Sequence, residues 1–347
     1  MKALVVREPG PPSVMKMESI PDPKPEPKDV VIKIDTCGVC MHDVATRAGT
    51  LKFGVQMPLI LGHEIAGVVA DVGSSVKDFK SGDRVTVAQR YHICGSCKYC
   101  RTGRETVCVE RKFTGDWGMV GGYAEYVAIE DDNVALVPEG VSLEEAAIVS
   151  CAIGTIYNAL FEIGKLRAGE TVLVTGAGGG LGMHSIQLAH LAGAHVIAVT
   201  SSPDKADQIR AMGADAVIVS KRGEDFSKPV RDATGGEGVD VAIDNVGSPV
   251  FTPVRRSMAY HGRWLLIGQV TGEFVQFNPA QLFLKAISML SANSTSRLQL
   301  EECLKLVSTK KIKPIVSDSM TLEDAAKAHE LMEAGQPVGR IVLRPNG

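Results

Sequence analysis

The run TVLVTGAGGGLGMHSIQLAHLAGAHVIAVT, residues 171–200, constrains the fold of this chain more than any other. TVLVT is a short apolar, β-branched segment of the kind buried on both faces of a parallel sheet. Gly176-Ala177-Gly178-Gly179-Gly180-Leu181-Gly182 follows at once, LGMHSIQLAHLAGA has a helical pattern, and HVIAVT returns to strand. The run therefore predicts a βαβ unit. A glycine loop in that setting lets the backbone approach a pyrophosphate, and the free N–H groups of the helix N-terminus face the anion. A plain tight turn would not require the flanking elements at these lengths. Dinucleotide binding is the reading they support, with Gly176, Gly179, Gly180, Leu181 and Gly182 as contacts.

The end of the second strand bears on which dinucleotide. NAD sites usually place an Asp or Glu about 20 residues past the loop, on the ribose hydroxyls. This chain has Thr200-Ser201-Ser202-Pro203-Asp204-Lys205 there, with no acid at the strand tip. Hydroxyls and a nearby cation suit a 2′-phosphate. NADP(H) is expected over NAD(H), with Thr200, Ser201, Ser202 and Lys205 as contacts. The alternative is that Thr and Ser only cap the next helix and NAD binds. Gly268, closing GRWLLIG, is a further expected contact.

The βαβ texture starts near residue 142. SLEEAAIVSCAIGTIYNALFEIG opens with a capping box, Ser142 and Glu145, and continues as a helix. AVIV, VDVAIDNVG, GRWLLIG and AISMLSAN extend the strand series. The first ~140 residues differ. ALVV, VVIKI, LGHEIAGVVADVG, DRVTVAQ and GGYAEYVAIEDDNVALV read as short antiparallel strands and loops around a proline-rich PDPKPEPKD. A helix is expected at ~297–309, and the C-terminal stretch ends in a strand that packs back on the first domain. At 347 residues, two domains are the prior. A net charge of −3 gives no electrostatic reason to expect nucleic-acid or membrane-surface binding. The N-terminus lacks a signal-peptide pattern, and no run is expected to reach the ~20 apolar residues of a membrane span. A cytoplasmic protein is the default expectation. In that setting, eight cysteines suggest metal ligands or reactive thiols before disulfides.

Four of them, in ICGSCKYCRTGRETVC, are spaced C-x2-C-x2-C-x7-C: Cys94, Cys97, Cys100 and Cys108. Four thiolates complete a tetrahedral zinc shell and leave no open position, as structural sites do. A lobe of about 15 residues rich in Gly, Lys and Arg cannot bury a core, and zinc binding worth ~10–16 kcal/mol in small peptides can order it. A nucleic-acid-binding zinc ribbon is the rival. The single cluster, the acidic balance and the attached nucleotide fold count against it.

GHEIAGVVADVGSSV fits G-H-E-x2-G-x5-G-x2-V through Gly62, His63, Glu64, Gly67, Gly73 and Val76. With Cys40 in GVCMHD, the cysteine lobe and the nucleotide run, the whole chain resembles the zinc-dependent medium-chain dehydrogenase/reductase family, typified by alcohol dehydrogenases. The resemblance implies an α/β fold: a GroES-like antiparallel β catalytic domain (1–151 and 294–347) and a Rossmann doubly wound parallel-sheet domain (152–293), with the active site in the cleft between them. It implies two zinc ions per subunit, a small-molecule substrate, and a homodimer or homotetramer. It puts the catalytic zinc on Cys40, His63 and Cys151, with Glu64 behind the metal and able to exchange onto it, and Asp43 orienting the histidine. Thr155, one helical turn past Cys151, would sit near the nicotinamide. Arg340, in VGRIVL, matches a basic position near the cofactor pyrophosphate and the zinc. Cys37 and Cys303 are read as packed thiols.

The pattern also departs from the family. Ser or Thr commonly stands two residues after the first cysteine ligand, often with a His three residues further on; here these are His42 and Ala45. His42 is expected either to replace the hydroxyl relay or to bind the cofactor ribose. Arg90 and Trp117 are candidate pocket walls. The leading expectation is a zinc-dependent NAD(P)(H) alcohol dehydrogenase or carbonyl reductase acting on an alcohol, ketone or aldehyde. VTGAGGGLGMHSIQLA, the VTSS tip and C-x-H-D also look similar to an acryloyl-CoA reductase subgroup, so enoyl-thioester reduction is the alternative.

Overall fold

A computed structural model describes residues 1–52 and 54–347. The chain divides into two compact units.

The first comprises Met1–Gly154, Ser294–Lys310 and Val316–Gly347. Its main sheet runs Val134–Leu136, Arg84–Val87, Glu64–Val72, Asp29–Val39, Arg340–Arg344 and Val316–Thr321, with Tyr126–Glu130 also paired to Asp29–Val39. Every pairing is antiparallel except that of the last two strands. A small sheet of Lys16–Ser19, Lys2–Val6 and Leu59–Ile60 lies apart, as does a two-stranded ribbon, Arg90–His92 with Lys112–Phe113. The alternating segments bury one continuous core, from Val5 and Ile32 to Ile129 and Ile341. Register matters most at the site. Gly38 pairs with Glu64 and with Val342, and Val39 pairs with Ile341. Three strand ends therefore bring Cys40, His63-Glu64 and Arg340 together.

The second unit comprises Thr155–Asn293 and Lys311–Ile315. Its six strands are all parallel, in the order Ala216–Val219, His195–Thr200, Thr171–Val174, Val239–Asp244, Met258–Leu266, Ser288–Ser291. Numbered along the chain, that order is the 3-2-1-4-5-6 of a doubly wound dinucleotide-binding sheet. Lys311–Ile315, expected with the first domain, belongs here. The backbone of Lys313 bonds both ends of the Gln187 amide, and the Ile315 N–H reaches His184.

Two expectations change. The helix after Ser142 keeps its capping box, but only Leu143–Ile148 and the single turn Thr155–Tyr157 are plain α-helix. Val149–Gly154 and Asn158–Ile163 are π-helical, so the four-residue spacing that would align Thr155 with Cys151 on an α-helix does not apply there. The segment Leu143–Ile163 is also long and apolar enough to cross a membrane, against the expectation that no run would be. Most of it is buried in the protein, where Ile148 and Ala152 pack on Val342.

Candidate functional site

Cys40, His63, Glu64 and Cys151 are all buried, and their ligand atoms lie within 4.8 Å of one another. The two sulfurs are 3.9 Å apart. Two thiolates about 2.3 Å from a tetrahedral zinc would be about 3.8 Å apart, so the donor set fits the ion. Cys40 caps the helix Met41–Ala48, and its N–H donates to Asp43 Oδ2 at 2.8 Å. Asp43 Oδ1 accepts from the Gly62 N–H at 3.2 Å and meets His63 Nδ1 at 3.1 Å. One buried carboxylate thus holds both ligand segments and leaves His63 Nε2 for a metal. Gly38 leaves room for this packing, because a Cβ there would lie 2.3 Å from Glu64 Oε2.

Arg340 completes the cluster. Its Nε donates to Glu64 Oε2 at 3.2 Å, and its Nη2 lies 3.4 Å from Cys40 Sγ and 3.6 Å from Cys151 Sγ. Glu64 Oε1 contacts Nη2 at 2.9 Å as an ion pair but receives no well-aligned hydrogen bond, and it lies 3.9 Å from His63 Nε2. A buried carboxylate oxygen left open beside the imidazole suits a metal position. Burial pushes the Glu64 carboxyl up to about 7, with Arg340 pulling it down. The Cys40 thiol is held well below its usual range, first by its hydrogen bond with Cys151 and then, against burial, by Arg340.

His42 lies beside this cluster, its ring edge-on to His63 at 5.2 Å. Its Nε2 meets the Asp116 carboxylate at 2.8 and 2.9 Å, and the Thr46 hydroxyl donates to the same group at 3.1 Å. Burial disfavours the charged ring, but Asp116 outweighs it and holds His42 above the usual imidazole range. The Phe113 ring packs on both histidines, at 5.1 and 5.2 Å.

Cys94, Cys97, Cys100 and Cys108 form the second group whose ligand atoms lie within 4.8 Å of one another. Sulfur separations of 3.6 to 4.0 Å again match a tetrahedral zinc. Backbone N–H groups of Cys97 and Cys94 donate to the Cys94 and Cys108 sulfurs. The N–H of Arg297, at the start of the helix Arg297–Ser308, donates to Glu105 of this lobe at 2.9 Å.

In the second unit, Gly179 caps the helix Gly180–Leu191. Gly176 has φ +60°, and a Cβ on Gly182 would lie 2.2 Å from the Gly176 carbonyl oxygen, so turn and helix close only on glycine. A Cβ on Gly268 would lie 2.2 Å from the Asn245 oxygen. The stem of Lys205 lies over Gly178, and burial lowers its ammonium pKa. Ser201 is exposed, while Thr200 is buried and its hydroxyl accepts from the Ser202 N–H. Asp244 organises the loop ends, accepting from Thr175, Trp264, Val246 and Gly247.

Two family models match this chain: the alcohol dehydrogenase GroES-like domain over residues 26–139 and the zinc-binding dehydrogenase over residues 180–309. The acryloyl-coenzyme A reductase of Sulfurisphaera tokodaii is 35% identical over 99% of this chain and 100% of its own. The alcohol dehydrogenase of Geobacillus stearothermophilus is 34% identical over 99% of each chain. The crystal structure of AibC superposes with a TM-score of 0.91 at 43% identity, covering 100% of this chain and 96% of that one. The chain belongs to the zinc-dependent medium-chain dehydrogenase/reductase family.

As a member of this family it is an alcohol dehydrogenase-like oxidoreductase. Arg340, matched to a basic position near the cofactor pyrophosphate and the zinc, has its guanidinium buried against Glu64 and the two sulfurs. The Thr200 hydroxyl is engaged by its own turn. Trp117 is 42% exposed, and its neighbour Asp116 is the buried residue. Asp116, Thr46 and Phe113 went unremarked in the sequence, where Trp117 was the residue of TGDWG singled out.

Proposed function

We propose that this chain is a zinc-dependent, NADP(H)-preferring alcohol dehydrogenase or carbonyl reductase, with a catalytic zinc on Cys40, His63 and Cys151 and a structural zinc on the four-cysteine lobe. The observation that carries this reading is the convergence of two thiols, an imidazole and a carboxylate within one buried 4.8 Å cluster. When bound, a zinc with three protein ligands supplies Lewis acidity at an open position, and a nicotinamide supplies or accepts the hydride. Asp43 fixes the histidine tautomer by engaging Nδ1. Arg340 balances the Glu64 charge, so this carboxylate can stay behind the metal or exchange onto it. His42 stands in for the family's usual relay hydroxyl. With Nε2 turned to Asp116, its Nδ1 is the atom left to pass a proton. Lys205 and the Ser201 and Ser202 hydroxyls favour a 2′-phosphate. The assembly expected is a homodimer or homotetramer.

The test is NADPH oxidation with simple ketones and aldehydes, with and without a zinc chelator. Carbonyl reduction lost on chelation supports the reading. Equal kcat/KM with NADPH and NADH would remove the cofactor preference. A second reading, reduction of an enoyl thioester at its β-carbon, is favoured by the relatives named acryloyl-coenzyme A reductase and by the missing relay hydroxyl. Turnover of crotonyl- or acryloyl-CoA that survives chelation would select it.

A further inference from the structure

Arg90 is fully buried and only partly satisfied. Its Nη1 donates to Ser294 Oγ at 2.7 Å, while Nε and Nη2 have no hydrogen-bond partner among the described residues. Burial lowers its pKa to about 10, so the guanidinium stays cationic at neutral pH. A buried charge is tolerated where another charge offsets it. The place of Arg90 in the fold shows where that charge comes from. It pairs with Phe113 across the ribbon Arg90–His92 and Lys112–Phe113, and these two strands are the stems of the four-cysteine lobe. Cys94 follows Arg90 by four residues, and Phe113 follows Cys108 by five. Cys108 is buried as Arg90 is, and its sulfur accepts from the Cys94 N–H at 3.4 Å. One further segment holds both the stem and the lobe: Ser294 accepts from Arg90, and three residues on the Arg297 N–H donates to Glu105 at 2.9 Å. After burial, the strongest influences on the guanidinium are Glu105, Arg111, Cys108 and Cys100, all of the lobe. Glu105 and Arg111 are opposite in sign and offset each other. Four neutral thiols would then leave Arg90 without a counter-charge, whereas four thiolates around one zinc carry a net double negative charge.

We propose that Arg90 is the counter-charge of the four-cysteine zinc site: a positioning residue that strengthens metal binding by Cys94, Cys97, Cys100 and Cys108, and whose own burial the bound metal offsets. The pairing acts through charge at the base of the lobe, since Nε and Nη2 make no hydrogen bond to a sulfur. The inference rests on the reading that this lobe holds a zinc.

The test is a cycle between Arg90→Gln and Cys97→Ser, the second of which empties the lobe. Zinc per chain and Tm are measured on the wild type, both single variants and the double variant. EDTA titrations follow lobe opening as proteolysis within residues 94–110. In the loaded protein Arg90→Gln should weaken lobe zinc about 10- to 100-fold, the range for groups that support metal ligands, so cleavage begins at correspondingly lower EDTA. Arg90→Lys keeps the charge and should recover part of the loss. In the Cys97→Ser background Arg90→Gln should leave Tm equal or higher, because there it removes a charge that nothing offsets. An equal fall in Tm in both backgrounds would make Arg90 a packing residue or the partner of Glu105 alone, and unchanged EDTA sensitivity would remove the coupling; either result overturns the proposal. If Arg90→Gln folds only alongside Cys97→Ser, the coupling holds in its extreme form, and if it folds in neither background the proposal fails. A wild type with no zinc to lose on Cys97→Ser sinks the reading of the lobe and the inference with it. A wild type that has this zinc, with Arg90→Gln indifferent, sinks the inference alone.

Discussion

Single residues near the metal cluster are held by charge balance. Arg340 neutralises Glu64, so removing Arg340 leaves a buried carboxylate without its partner. Arg340→Met should cost about 3–5 kcal/mol in urea unfolding, as removal of one partner of a buried ion pair does. A surface role for Arg340 predicts almost no change. Gly38 carries a steric version of the same argument. Its missing Cβ would lie 2.3 Å from Glu64 Oε2, so Gly38→Ala should cost roughly 1–3 kcal/mol by overpacking and lower the zinc bound at this site. At His42 the measurement is kinetic. A His42→Gln variant is expected to shift or flatten the pH–rate profile; an unshifted profile would assign His42 to binding alone.

At the scale of elements, the four-cysteine lobe and the glycine turn depend on different forces. The lobe has little core of its own and is joined to the helix Arg297–Ser308 through Glu105. Cys97→Ser should therefore release one zinc per chain and make residues 94–110 the first site of proteolysis, while Cys40, His63 and Cys151 keep theirs; metal counting and limited proteolysis check both. The turn rests on contact distance. Gly182→Ala would press a methyl group into the Gly176 carbonyl at 2.2 Å, and nucleotide affinity should fall at least about tenfold with the fold retained. Much of this was legible in the sequence. Strand, glycine loop, helix and strand occur with short-range spacings, and so does C-x2-C-x2-C. The π-helical turns around Cys151 were not, because the same apolar sequence satisfies an α- or a π-helical hydrogen-bond pattern and tertiary packing chooses between them.

Across the whole molecule, stability carries a pH signature from His329. It is buried, its Nε2 lies 3.0 Å from the Tyr123 hydroxyl, and burial lowers its pKa to about 4 from an ordinary 6.5. The unfolded chain binds this proton below pH 6.5 and the folded chain does not until about pH 4. The contribution is thus intact above 6.5 and is lost as pH falls toward 4, by about 3 kcal/mol in total. Urea midpoints for the wild type and His329→Gln should diverge least in acid, with the variant showing the flatter profile; parallel profiles would refute this.

The sequence by itself carried the βαβ run with its glycine loop and the four-cysteine set, because those signals are local spacings that few other structures require; the Cys40, His63 and Cys151 set was implied by the family resemblance. Tertiary structure decided what depends on long-range register. It made Arg340 the buried partner of Glu64 and set it against Cys40, through a strand pairing across some 300 residues. It joined His42 to Asp116, 74 residues away. A side chain's partner is set by which strands lie adjacent and in what register, and that is a property of the assembled core rather than of any short stretch of chain.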